Sequence, residues 1–99
     1  MRRSTFRWIG GWGNPMKGVI AHINENRGMV AVATEAGGFS IFELMGGDSV
    51  AINDVVRWGG DTPLGSATLV NETQGERFEV YFQNHHVGQH QLRQQLLYP

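Results

Sequence analysis

From Met16 to Asn71 the chain is cut into short runs rich in Val, Ile, Ala and Phe, and each run ends in residues that turn a backbone. Lys17–Asn24 and Gly28–Thr34 are separated by Glu25-Asn26-Arg27. Glu35-Ala36-Gly37-Gly38 leads into Phe39–Met45, a loop over Gly46–Ala51 precedes Asp54–Gly59, and Asp61-Thr62-Pro63 precedes Ser66–Asn71. None of these runs has the length and period of an amphipathic helix. Five short strands at this spacing, in a chain long enough for one core only, predict an all-β fold, a small barrel or sandwich. Glycine agrees: there are 14 in 99 residues, about twice the average share of roughly 7%. Several are paired between the runs, where a turn needs their backbone freedom.

Two segments flank this block. Residues 1–15 hold Arg2, Arg3, Arg7, Trp8 and Trp12 without strand or helix periodicity, and Asn14-Pro15 closes them with a breaker. Met16 reads as the natural start of the domain, with 1–15 a disordered or non-native tail; the alternative is a basic, aromatic tail that belongs to the protein. After Asn71, Phe78, Val80 and Phe82 alternate with polar residues over Glu76–Gln83, which predicts one more strand. Val87–Leu97 predicts a short helix with Leu92, Leu96 and Leu97 on one face. Residues 72–99 are thus expected as a strand and helix packed on the same domain, outside a five-stranded barrel.

The formal net charge of −1 hides an asymmetry. Three of the eight basic residues lie in the first seven positions. From Met16 onward five basic residues face all nine acids, so the folded part offers no general attraction for phosphate. The absence of cysteine excludes disulfides and thiolate metal sites. No apolar run approaches the roughly 18 residues of a membrane span, and no secretory leader is recognisable. A cytoplasmic protein without membrane contact is the expectation.

The run Met16-Lys17-Gly18-Val19-Ile20-Ala21-His22-Ile23-Asn24-Glu25-Asn26-Arg27-Gly28-Met29-Val30-Ala31-Val32 resembles the opening of a bacterial cold-shock domain. Gly18, Ile20, Asn24 and Gly28 fall on that family's spacing without a gap. Phe39-Ser40-Ile41-Phe42 stands where the family carries its second RNA-binding motif, and Asn53-Asp54-Val55-Val56 resembles the opening of its fourth strand. The resemblance covers residues 16–71 and implies a five-stranded barrel of the OB type. It also implies a single-strand site built from aromatic side chains on the second and third strands. Carried over by position, that platform is depleted: His22 replaces a tryptophan, Met29 and Ala31 replace two phenylalanines, Ser40 and Glu43 replace two more, and Phe42 restores one ring. Arg27 takes the place of a lysine. The expected core is Ile20, Ile23, Val30, Val32, Phe39, Ile41, Val56 and Trp58, alternating with outward residues.

Other features carry less. His85, His86 and His90 lack an acidic or thiol partner in sequence and read as polar helix-cap residues rather than metal ligands. Residues 60–65 are Gly-containing but lack the lysine and hydroxyl of a phosphate loop. No nucleophile–base arrangement has a recognisable spacing, so neither an enzyme nor a cofactor is expected. The leading expectation is weak binding of single-stranded RNA or DNA through Lys17, His22, Arg27, Met29 and Phe42. The alternative is a protein-interaction module that uses the same barrel face or the C-terminal strand and helix.

Overall fold

The computed structural model describes residues 15–47, 49–60 and 62–99; the expected tail over 1–15 lies outside the described residues except for Pro15. Among the described residues six strands form the fold: β1 (Pro15–Asn24), β2 (Met29–Thr34), β3 (Phe39–Leu44), β4 (Val55–Gly59), β5 (Gly65–Asn71) and β6 (Glu76–Val87). A 3-10 turn at Gln89–Gln91 and one turn of helix, α1 (Leu92–Gln95), follow. Among the described residues no helix is long and apolar enough to cross a membrane.

The strands close into a barrel in the order β1-β2-β3-β6-β5-β4, with β4 returning to β1 and every pair antiparallel. The all-β class and the barrel are as expected, but the strand count is six. The strand assigned to a C-terminal extension is instead a stave of the barrel. β6 fills the gap between β3 and β5, pairing from Phe39↔Val87 to Leu44↔Val80 on one side and from Gly65↔Phe82 to Asn71↔Glu76 on the other. It also runs four residues beyond the expected Gln83, through His85 and His86, two of the three histidines expected to cap a helix.

The barrel interior holds Ile20, Val30, Val32, Phe42, Val56, Trp58, Leu69, Phe78, Val80 and Phe82, with Ile23 packed partly against them. The register fixes the face of each residue, because directly opposed residues share a face. Val30 opposes Phe42 and Val32 opposes Ser40, so Phe42 and Ser40 point inward, whereas Ala31 opposes Ile41 and Ala33 opposes Phe39 on the outer face. The expected parity holds for β2 and fails for β3. Phe39 and Ile41, assigned to the interior, belong to a second cluster outside the barrel: Met29, Ala31, Ile41 and Val87, covered by Leu92 and Leu96 and bordered by Phe39. Ile41 and Phe42 are both buried, since β3 is covered on both faces; such strands lose the alternation that tells inside from outside.

One close approach shapes the wall. A Cβ on Gly18 would lie 2.5 Å from Val32 Cγ1 and 2.7 Å from the Ala33 carbonyl oxygen, so only glycine lets β1 and β2 meet there. At the other side of β1 the buried Asp54 accepts hydrogen bonds from the Ala51 amide (2.9 Å), Asn71 Nδ2 (2.9 Å) and Gln74 Nε2 (2.7 Å). These bonds hold its carboxyl below the usual range, the Asn71 bond foremost and burial opposing. They also lock the β3–β4 loop to the β5–β6 turn, which closes this end of the barrel.

Candidate functional site

The outer face of β2 and β3, where an OB barrel displays its stacking rings, is covered by the chain itself. Two bulges on β6, opposite Phe39–Ile41 and Ile41–Phe42, together add two residues relative to β3. Bulges of this kind bend a strand and re-aim its end. Past them Val87 sits on the outer face, and residues 88–98 fold back over Met29, Ala31 and Ile41. Leu92 and Leu96, four apart on successive turns, supply the apolar contact, and both are buried. Two long-range bonds pin the segment to the end of β1. Asn24 Nδ2 donates to the Leu96 carbonyl (2.7 Å), and the Tyr98 hydroxyl donates to the Ile23 carbonyl (3.0 Å). Leu97, expected on the buried face, takes a left-handed backbone (φ 65°) and points out, 48% exposed.

The five candidate residues for nucleic acid are therefore not one surface. Phe42 is 0% exposed, its ring packed against Phe78 and Phe82 in the barrel interior (centroids 5.9 Å each). Met29 is on the outer face but beneath the C-terminal segment. Lys17 pairs with Glu72, which also holds Arg57. His22 is exposed next to Phe39, ring centroids 6.2 Å apart, on the strip of sheet left uncovered. Arg27 is exposed in the β1–β2 turn. Lys17 and Arg27 stand towards opposite ends of β1, about 20 Å apart at roughly 3.3 Å per residue.

The end of the barrel near Met16 holds a pair that sequence spacing did not reveal. Ser40 Oγ and His85 Nδ1 share a hydrogen bond of 2.8 Å between residues 45 apart in sequence. The His85 ring lies 4.7 Å from that of Phe82, and Ser40 and His85 border a cavity of about 190 Å³ with Trp58, Thr34, Met16 and His86. His86 has a left-handed backbone (φ 59°) that helps turn the strand here. His85 Nε2 is buried without a hydrogen-bond partner among the described residues. Burial, and then the neighbouring His86, push the His85 imidazole below its ordinary value, while the backbone of Thr62 and Pro63 pulls the other way. No group of three or more His, Asp or Glu able to hold a metal occurs among the described residues.

The depressed His85 value sets a pH dependence. The unfolded chain, with an imidazole near 6.5, binds more protons than the folded one at pH values between the two. Its contribution to stability is therefore complete above pH 6.5 and is lost as pH falls through the folded value. Melting temperature followed from about pH 7.5 down to pH 5 should fall in wild type and fall less in His85→Gln. Parallel curves for the two proteins would show that His85 does not supply this dependence.

A third feature lies where the β1–β2 turn meets the C-terminal segment. Three adjoining depressions share Arg27 and Leu97, with volumes of about 580, 550 and 300 Å³. Arg93, His90 and Tyr98 line the middle one together with Arg27. No family model, curated protein or solved structure matches the chain.

Proposed function

We propose that this barrel is a protein-interaction module rather than a reader of single strands. The observation that supports it is the cover on β2 and β3: Leu92 and Leu96 occupy the face on which an OB barrel stacks bases. Each stacked base is worth about 1–3 kcal/mol in such proteins, and here the only phenyl ring of the expected platform, Phe42, faces the interior. What the covered face leaves outside is suited to protein contact: Leu97 and Tyr98 exposed beside the glutamines Gln94 and Gln95, on a wall held in place by backbone bonds.

The test is a chemical-shift titration of the folded protein with short single-stranded DNA and RNA of several sequences at low salt. The expected result is no saturable shift. Saturable shifts centred on His22 and Phe39, the uncovered ring pair, would overturn the reading in favour of nucleic acid.

A further inference from the structure

Of the basic residues in the described part, Lys17 and Arg57 are engaged with Glu72. Arg27, Arg77 and Arg93 have no ion pair or side-chain hydrogen bond among the described residues, and of these Arg27 and Arg93 line the same depression of about 550 Å³. They reach it from distant parts of the chain, Arg27 from the β1–β2 turn and Arg93 from α1. Among the described residues no acidic side chain lines that depression or the adjoining one at Asn24 and Asn26, whereas Glu43 lines the third, on its β3 side. Glu25, two residues before Arg27, instead lines a hollow with Ile23, Gly28, Leu44 and Val50. In a folded part with nine acids against five bases, the depression at Arg27 and Arg93 is a local reversal of side-chain charge.

The groove is amphipathic as well as basic. Leu97 and Tyr98 are 48% and 40% exposed, and the Tyr98 ring is held in position by its bond to the Ile23 carbonyl. Towards β3 and β6 the lining becomes Gln83, Gln94 and Gln95, whose amides can both donate to and accept from a peptide backbone, and Glu43, whose carboxylate marks the end of the basic stretch. A nucleic acid strand would want successive stacking rings, and among the described residues the depression offers Tyr98 and the imidazole of His90. An extended peptide uses what is present: guanidinium forks for carboxylates, amides for its backbone, and an apolar contact for one side chain.

Resting on the protein-interaction reading, we propose that the groove between the β1–β2 turn and the C-terminal turn binds a short acidic peptide. Its carboxylates meet Arg27 and Arg93, and an apolar residue between them packs on Leu97 and Tyr98. Such a complex forms at the rim of the fold, so salt weakens it.

Three fluorescent probes test this on the full chain: a peptide of alternating Glu and Leu, the same peptide with Gln for Glu, and an oligothymidylate of similar length. The acidic peptide should bind saturably and the Gln peptide should not. R27E combined with R93E should weaken the acidic peptide by about tenfold or more, as expected for reversing two rim charges. Both side chains are exposed, and an unchanged backbone spectrum verifies that the double variant is folded. Binding of the acidic peptide that is indifferent to R27E and R93E overturns the proposed site. If neither the acidic peptide nor the oligothymidylate binds, this proposal falls and the protein-interaction reading stands. If the oligothymidylate binds and the peptide does not, both fall.

Discussion

Ending the chain after Asn71 should leave no folded barrel. That truncation removes β6, the stave hydrogen-bonded to both β3 and β5. It also removes Phe78, Val80 and Phe82, each at most 5% exposed in the interior. Burying an apolar side chain of this size is worth about 1.5–3 kcal/mol, so three of them rival the roughly 5–15 kcal/mol that keeps a domain folded. The two strand edges left unpaired would add a tendency to aggregate. The truncated chain should show a collapsed amide spectrum and no cooperative melt. A dispersed spectrum with a cooperative transition would mean that a five-stranded barrel closes over 15–71 without β6.

Phe42→Ala should destabilise the protein by about 3–5 kcal/mol, the usual cost of emptying a buried phenylalanine site. The ring is fully buried and meets Phe78 and Phe82, so its loss opens a void where the β2, β3 and β6 walls converge. For a domain of this size a loss of that order lowers the melting temperature by roughly 12–40 °C. Urea unfolding monitored by tryptophan fluorescence reads the change, since Trp58 lies in the same cluster. If Phe42 stood outward as a stacking ring, the same substitution would leave stability within about 0.5 kcal/mol.

Much of the barrel is legible in the chain: inward residues alternate cleanly on β4, Val30 and Val32 keep the parity of β2, and on β1 a bulge between Ile20 and His22 interrupts it. Ile20, Val30, Val32, Val56 and Trp58 are in the interior where the pattern puts them. The pattern fails on β3, where Ile41 and Phe42 are adjacent, both apolar and both buried. Which of them faces in depends on what lies over the outer face, and that is a segment some fifty residues away in sequence, Leu92 to Leu96. The alternation of Phe78, Val80 and Phe82 shows plainly that β6 is a strand. It does not say which neighbours the strand pairs with, and the choice of β3 and β5 over an outer position is made by closure of the whole sheet. The Ser40–His85 pair and the groove at Arg27 and Arg93 were out of reach for the same reason. Each joins residues whose proximity depends on β6 lying beside β3 and on the C-terminal segment folding back.

The place of β6 in the sheet also governs how the protein is made. A ribosome adds residues at about 5–20 per second, and the first five strands emerge while the edges of β3 and β5 still await their common neighbour. Closure joins Phe42 to Phe82 across forty residues of chain, a costly loop to close before any of its contacts form. The nascent chain thus carries two open edges until Glu76–Val87 has left the exit tunnel. Only then can β6 seal both seams, and Leu92 and Leu96 settle over the outer wall.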